Sequence, residues 1–444
     1  MRWLRYGADA ERLVEQALER DRWGAEEWQR WRQERLRFVL GRAAAAVPYY
    51  RDQWQIRSRE GEGHSFEDLE NWPLLEKEPL RRGPRRFVAD DCDPDRMVHD
   101  HTSGTTGTSL DLWFRPATVR AWYALFEARC RRWYGVTRHD RWAIVGGQLV
   151  VPVAERRPPF WVWNSGLNQL YVSAYHLAPD LVAHTLEAIR RHRVTFLLGY
   201  SSGLHALAQG VLRSGRRDLD LHVVVTNAEP LFAHQREAMA EAFRCPVRET
   251  YGMAELVAAA SECEAGRMHL WPEAGIVEVM ENRSAAPRGA VGDLICTGLL
   301  NADMPLVRYR VGDRGALPAT DEACGCGRTL PLLAAVEGRI DDVLYTRDGR
   351  AVGRLDPVFK ASLAVREAQI IQESLDEVRL RIVPAAEYTA GAGDSLAGRL
   401  RERLGSSIRV IVEPVAEIPR AANGKFRAVV CNLPEAVRRS VGAK

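Results

Sequence analysis

The chain runs to 444 residues, more than one comfortable hydrophobic core, so two or three domains are expected. A hydrophobic share of 46% beside 27% charged side chains is that of an ordinary soluble globular protein. With 62 basic and 59 acidic side chains the net charge is only +3, which gives no reason to invoke nucleic acid or an anionic membrane as a partner and points to small molecules.

The first stretch, "MRWLRYGADAERLVEQALERDRW", lacks the apolar core of a signal peptide, and no later stretch approaches the roughly 18 uncharged residues of a membrane span. A cytoplasmic protein is expected, and the 8 cysteines do not suggest a disulfide scaffold. In "AEEWQRWRQERLRFVLGRAAAAV", helical spacing lines up Trp28, Trp31, Leu36, Val39 and Leu40 as one apolar stripe, the mark of a helix packed on the protein body. Pro48 then ends it.

"HTSGTTGTSL" lies between two short strand candidates, "RMVHD" and "DLWFRP". Gly104 and Gly107 let the backbone close around an anion, and Thr102, Ser103, Thr105, Thr106 and Thr108 add hydroxyl donors, so the loop is suited to cradle phosphate. A polar hairpin turn is the other reading, and the loop is not a Walker motif, which needs GK[ST] after four intervening residues.

From about 98 to 250, apolar runs alternate with amphipathic helices: strand "WAIVGG", helix "DLVAHTLEAIRRHR", strand "VTFLLGY", helix "SGLHALAQGVLRSG", strand "LHVVVTNAEPL" and helix "AHQREAMAEAF". That alternation implies parallel βαβ units with binding loops at the carboxyl ends of the strands, here "GYSSG", "TNAEPL" and "TYGMAEL". Near 270 the texture changes to short strands and turns, "AGIVEVM", "GDLICTGL" and "MPLVRYRVGD", as in a small β-barrel or meander. The final hundred residues hold a helix ("GRLDPVFKASLAV"), strands ("EVRLRIVP", "IRVIVEP"), a loop ("AAEYTAGAGDS") and a helix ("DSLAGRLRERLG"), enough for a small α+β domain. The fold expected is therefore α/β. A large N-terminal domain, 1–337, combines parallel βαβ units with a β-barrel-like subdomain at about 270–337; a small mobile α+β C-terminal domain, 338–444, follows a linker near Gly338.

Six segments appear in order: "TSGTTG", "NAEPL", "YGMAE", "YRVGD", "GRIDD" and "IPRAANGKFR". On these the chain resembles the adenylate-forming ligases of the acyl-CoA synthetase superfamily. "VPYYRDQW" and "GGQLVVP" make it most similar to their phenylacetate-CoA ligase and capsule-biosynthesis branch. The resemblance implies that ATP, Mg²⁺ and a carboxylic acid are trapped between a large domain and a small lid. The products are an acyl adenylate and pyrophosphate, and the acyl group then passes to a nucleophile, commonly the thiol of coenzyme A. A carboxylate attacking the α-phosphorus brings anion against anion, so catalysis must rest on positioning and charge neutralisation.

By the same resemblance, Thr102, Ser103, Gly104, Thr105, Thr106 and Gly107 hold the β- and γ-phosphates. Asn227, Ala228 and Glu229 line the adenine, with Tyr251, Gly252 and Met253 beside it, and Asp313 and Arg339 bind the ribose. Glu255 ligates Mg²⁺, a hard cation that prefers carboxylate oxygen. Lys425 bridges the acid and the α-phosphate after closure about a hinge at Asp341 or Asp342. Read without the resemblance, Glu255 could as well satisfy a helix N-terminus, Asp313 and Arg339 could be turn residues, and Lys425 a solvated surface lysine.

Three features depart from the pattern. Thr108, Ser109 and Leu110 stand where relatives often place a lysine, Ala254 replaces a common Thr, and "DVLYTRDGRAVGRLDPVFK" only loosely matches a Gly-rich pantetheine tunnel. The acceptor is therefore left open among coenzyme A, a carrier thiol, an amine and a hydroxyl, and a nucleotide-binding scaffold without ligase chemistry stands as the rival reading. Partners are a small-molecule carboxylic acid, aryl or another organic acid, and an acyl acceptor; an oligomer is compatible with the sequence. Trp161, Trp163 and Tyr171, near Gly146 and Gly147, form either an acid pocket or plain core. Cys263, His269, Cys324 and Cys326 are the Cys₃His set of a structural Zn²⁺ or else ordinary thiols at Gly-rich turns.

Overall fold

The computed structural model describes residues 2–59, 65–102, 109–152, 154–229, 231–281, 284–337, 344–352, 355, 358, 365–385, 388–419 and 429–442. Two compact units divide the chain: Met1–Thr102, Leu110–Thr137 and Arg248–Gly338 make the first, and Ser103–Ser109, Arg138–Val247 and Arg339–Lys444 the second. The fold is mixed α/β, with a parallel sheet and an α+β portion near the C-terminus.

In the second unit the expected strands Trp142–Gly146, Phe196–Tyr200 and Val223–Asn227 form and run parallel. A strand absent from the expectation, Gln169–Ser173, flanks the first of them in parallel, and Trp161–Asn164 lies antiparallel beside it. Val145, Leu170, Val172 and Leu197 meet Leu186, Leu204, Leu207 and Met239 from the helices in one core. Gly203, in the helix Ser201–Ser214, allows that packing, because a Cβ there would stand 2.6 Å from Val145 Cγ1.

The C-terminal part of this unit is a four-stranded sheet built on Val365–Gln372. Glu377–Pro384 pairs antiparallel with it, while Arg409–Pro414 and Val429–Cys431 add parallel edges. Helix Ala390–Leu404 contributes Leu396 and Leu400 to a core with Ile370, Leu380 and Ile382. This corrects the loop reading of "AAEYTAGAGDS": its last residues already belong to the helix, because the periodic Leu396, Leu400 and Leu404 outweigh the cost of Gly391 and Gly393. Buried Arg350 donates to the carbonyls of Arg403 and Leu404 at 2.7 and 3.0 Å, which closes the helix end with positive charge. The helix expected over 353–365 falls mostly outside the described residues, and its last member, Val365, opens a strand instead.

The first unit begins with helices. Ala25–Ala46 buries Trp28, Val39 and Leu40 as expected, but Pro48 starts a second helix, Pro48–Arg59, since proline lacks only an N–H that a first turn leaves unused. Helix Pro116–Cys130, not expected from the sequence, carries fully buried Arg129 between Asp21 and Glu273, at 2.8 and 2.7 Å. The β-rich segment is an antiparallel sheet whose order is Ser284–Ala285, Gly275–Glu281, Gly292–Gly298, Tyr309–Ala316, Ala335–Glu337. A second antiparallel set joins Val247–Gly252, Ala259–Glu262, Met268–Leu270 and Leu332–Leu333. Among the described residues no helix is long and apolar enough to cross a membrane.

Candidate functional site

The strand Tyr309–Ala316 is interrupted where the "YRVGD" motif ends. Arg310 opposes Ile295 and Arg314 opposes Asp293, so Val311, Gly312 and Asp313 bulge out against Leu294 alone. Gly312 supplies the required left-handed backbone, with φ +91. The bulge re-aims Asp313, whose carboxylate accepts a 2.9 Å hydrogen bond from Tyr251 Oη. Tyr251 is itself held in register opposite Ala260.

Four residues on, buried Glu255 accepts a 3.0 Å hydrogen bond from the hydroxyl of Tyr309, which is wholly buried. Leu256, next in the chain, has φ +55, a strained value for a non-glycine residue that turns the chain sharply after the motif. The local field is negative: the Cys296 thiol is pushed well above its usual value, first by burial and then by Asp313, Glu255 and Glu278. A buried carboxylate in such a field fits a hard divalent cation. Lys77 Nζ approaches from the helix Lys77–Arg82, donating to the Val311 carbonyl at 2.7 Å and lying 5.9 Å from the Tyr309 ring. Neither Tyr309 nor Lys77 was expected; the first was at least inside the quoted motif, whereas "LLEKEPL" carries no signal at all.

Thr102 closes the base of the hydroxyl-rich loop, its N–H bonding the Leu110 carbonyl at 3.0 Å and its Oγ1 accepting from the Leu110 N–H at 2.9 Å. The rest of that loop, Ser103, Gly104, Thr105, Thr106 and Gly107, lies outside the described residues, as do Arg339, Asp341, Asp342 and Lys425. Gly252 sits opposite Ala259, and Met253 packs on the core.

In the second unit, Asn227 ends its strand with a buried Oδ1 that has no hydrogen-bond partner among the described residues. Ala228 follows at φ +65, and the Glu229 N–H closes back on the Asn227 carbonyl at 2.8 Å. The Glu229 carboxylate accepts from the Ser202 N–H at 2.9 Å, satisfying the amino end of helix Ser201–Ser214. Strain and an unsatisfied buried acceptor in one motif are what a ligand-binding turn stores.

The aromatic cluster expected from Trp161, Trp163 and Tyr171 is divided. Tyr171 pairs across the sheet with Val162, while Trp161 and Trp163 pair with Val172 and Leu170, so strand alternation sends the tryptophans to the opposite face, against the core. Tyr171 does reach the glycines: its hydroxyl accepts from the Gln148 N–H at 2.9 Å, and a Cβ on Gly146 would meet it at 2.5 Å. Burial pushes its hydroxyl up to about 12. Tyr200 and Tyr175, unexpected here, face Gly147, where a Cβ would meet Tyr200 at 3.1 Å and Tyr175 Oη at 3.6 Å.

Cys263, His269, Cys324 and Cys326 converge in the first unit, their ligand atoms all within 4.8 Å of one another.

A parallel βαβ sheet followed by a small mixed sheet, with an acidic and tyrosine-rich cluster on "YGMAE" and "YRVGD", defines an adenylate-forming enzyme. The AMP-binding enzyme family matches residues 29–299, and the CapK C-terminal domain matches 344–432. The chain belongs to the AMP-binding enzyme family and is an adenylate-forming ligase of the branch that holds phenylacetate-coenzyme A ligases and CapK. It is 25% identical over 443 residues to phenylacetate-coenzyme A ligase of Thermus thermophilus, covering 90% of this chain and 95% of that one. To protein CapK of Staphylococcus aureus it is 23% identical over 397 residues, 87% of this chain and 85% of the other. The fold is that of 2-hydroxyisobutyryl-CoA ligase in complex with 2-HIB-AMP and CoA, with a TM-score of 0.59 at 20% identity over 96% of this chain and 94% of that one.

Proposed function

We propose that this ligase activates a small carboxylic acid, aryl or another compact organic acid, with ATP. A carboxylate oxygen attacks the α-phosphorus, the bond from that phosphorus to the bridging oxygen breaks, and pyrophosphate leaves. A thiol, amine or hydroxyl then attacks the acyl carbon and AMP leaves; coenzyme A is the acceptor that the relatives' names support.

The observation that carries this reading is the joining of the "YGMAE" and "YRVGD" motifs through the Tyr251–Asp313 and Tyr309–Glu255 hydrogen bonds. Asp313, oriented by Tyr251, accepts from the ribose hydroxyls, helped by Arg339. Asn227 offers its unpartnered Oδ1 to adenine, with Ala228 and Glu229 shaping the turn and Tyr251, Gly252 and Met253 beside it. Thr102 anchors the loop of Ser103, Gly104, Thr105, Thr106 and Gly107 that takes the outer phosphates. Glu255, with one carboxylate oxygen engaged by Tyr309, would hold Mg²⁺ with the other, and the ion would neutralise phosphate charge. Lys425 supplies a positive charge where the two anions meet, carried in by residues 338–444 turning at Asp341 or Asp342 against residues 1–337. Tyr171, Tyr175 and Tyr200 above Gly146 and Gly147 support an acid with a flat or compact side group. The acids that two similar ligases are named for, phenylacetate and 2-hydroxyisobutyrate, are both small organic acids. None of the 8 cysteines is joined in a disulfide, which suits a cytoplasmic setting.

The test is exchange of labelled pyrophosphate into ATP across a panel of aryl, hydroxy and fatty acids, followed by trapping with coenzyme A, hydroxylamine and amines. At least one acid should drive exchange, and Lys425→Ala should abolish it while the protein stays folded. Exchange by no acid, or full exchange by Lys425→Ala, sinks the reading.

A further inference from the structure

We infer that Cys263, His269, Cys324 and Cys326 form a structural zinc centre, closed by four protein ligands, that fastens the 324–330 segment to the hairpin next to Tyr251. The inference does not depend on the ligase reading.

Two of the ligand–ligand distances are those of a coordination shell, and the others are close enough for a metal to draw them in. Cys263 Sγ and Cys324 Sγ are 3.6 Å apart, and Cys326 Sγ is 3.4 Å from His269 Nε2, while all four ligand atoms lie within 4.8 Å of one another. Tetrahedral bonds of about 2.3 Å to sulfur and about 2.0 Å to nitrogen place ligands roughly 3.5–3.8 Å from each other. A disulfide would need its sulfurs at about 2.05 Å, so the Cys263–Cys324 spacing is that of two ligands rather than of a bond.

The groups around the four ligands prepare them for a metal. His269 Nδ1 donates to the Leu330 carbonyl at 3.2 Å, which leaves the Nε2 lone pair turned toward the sulfurs. Both cysteine segments make the same tight turn: the Gly266 N–H returns to the Cys263 carbonyl and the Gly327 N–H to the Cys324 carbonyl, each at 3.0 Å, with the glycines at φ +73 and +78. Those turns aim backbone N–H groups at sulfur, from Ala265 and Arg267 to Cys263 and from Arg328 to Cys326. Three thiolates and one Zn²⁺ carry a net negative charge, and Arg328 stands beside Cys326 to offset it, held by Glu264 at 2.6 Å and by the face of Trp133 at 4.2 Å. His269, Cys263 and Cys324 are buried, as ordered ligands of a closed site are.

With four protein ligands no position is open for water or substrate, so the metal acts on structure rather than on chemistry. Cys263 directly follows the strand Ala259–Glu262, and His269 lies in Met268–Leu270, paired opposite Ser261. The clamped hairpin pairs in turn with the strand of Tyr251, which stands opposite Ala260. Metal loss should therefore loosen the 324–330 segment first and the support of Tyr251 next.

Metal analysis of the wild-type protein, purified without chelator, should give about one equivalent of zinc per chain. Cobalt substituted for the zinc should show the intense visible bands of a tetrahedral thiolate site. Chelation should lower the melting temperature by about 5 °C or more, with recovery on adding zinc. Cys326→Ser should lose the metal, and His269→Cys, which keeps four soft ligands, should retain it. Less than half an equivalent of zinc in protein expressed with added zinc overturns the inference. So does a Cys263–Cys324 disulfide in the native protein, or cobalt binding without thiolate bands; none of these readouts involves ligase activity.

Discussion

Tyr251 Oη donates a 2.9 Å hydrogen bond to Asp313 Oδ2, tying together two motifs 62 residues apart in the chain. The bond exists because a bulge turns Asp313 out of its strand while Tyr251 stays in register on its own. It helps to orient the carboxylate at the end of its short side chain.

That relationship predicts nucleotide affinity. Hydrogen bonds to a charged group contribute about 1.5–3 kcal/mol, so Asp313→Ala should raise the KM for ATP by about 10- to 100-fold in the exchange assay. Tyr251→Phe keeps the carboxylate and removes this one hydrogen bond, and should raise that KM less. An unchanged KM in Asp313→Ala removes Asp313 from the nucleotide site.

The Tyr309–Glu255 bond makes a second prediction, read in a magnesium titration. Glu255→Gln, which weakens a hard-cation ligand, should lower kcat by about 100-fold or more and raise the magnesium needed for half-maximal rate. Tyr309→Phe removes only the hydrogen bond and should shift the magnesium requirement with a smaller loss of rate. Equal magnesium curves for Glu255→Gln and wild type contradict the metal role.

Gly146 offers a test of acid choice. Adding a methyl 2.5 Å from Tyr171 Oη must move that ring and break its hydrogen bond from the Gln148 N–H. Gly146→Ala should therefore change the ranking of acids in the panel, with aryl acids losing about tenfold or more in kcat/KM relative to the smallest. A uniform loss across all acids places the tyrosines outside the acid pocket.

Stability should respond most to Arg129, whose guanidinium holds Asp21 and Glu273 while wholly buried. Arg129→Ala leaves Asp21 with the Trp133 indole N–H at 2.7 Å and Glu273 with a 3.4 Å contact to Arg20, two buried carboxylates short of a cation between them, and should cost about 3–5 kcal/mol in reversible denaturant unfolding. A cost below about 1 kcal/mol shows that water enters to solvate the acids.

His176 supplies a pH dependence. It is buried, bonded through Nδ1 to Ser173 Oγ at 3.0 Å and through Nε2 to the Pro152 carbonyl at 3.2 Å, and stacked on Phe160. Burial first, and then Arg350 and Arg156, hold its pKa below the usual value, with Glu155 and the Pro152 hydrogen bond opposing them. A depressed folded value means that the unfolded chain binds the proton more readily. The contribution to stability is therefore complete above about pH 6.5 and is lost as pH falls through the folded value. The melting temperature should drop on acidification from neutral pH, and His176→Asn should flatten that drop; an equally steep fall in the variant assigns it to other groups.

Local chemistry in the sequence was enough for the parallel strands, most of the helices joining them, the β-rich segment and the motifs themselves. Apolar periodicity reports which face of an element is buried, six spaced motifs report the adenylate-forming superfamily, and "VPYYRDQW" with "GGQLVVP" points to its branch. Tertiary structure alone decided the partners. The alternation of Gln169–Ser173 split the expected aromatic cluster and sent Trp161 and Trp163 to the core face, and strand ends far apart in sequence brought Tyr175 and Tyr200 to Gly147. Lys77 came to the Tyr309 ring from a helix with no motif, and a bulge turned Asp313 toward Tyr251. Spacing along a chain encodes contacts only within one element; contacts across elements depend on register and packing, which no single segment carries.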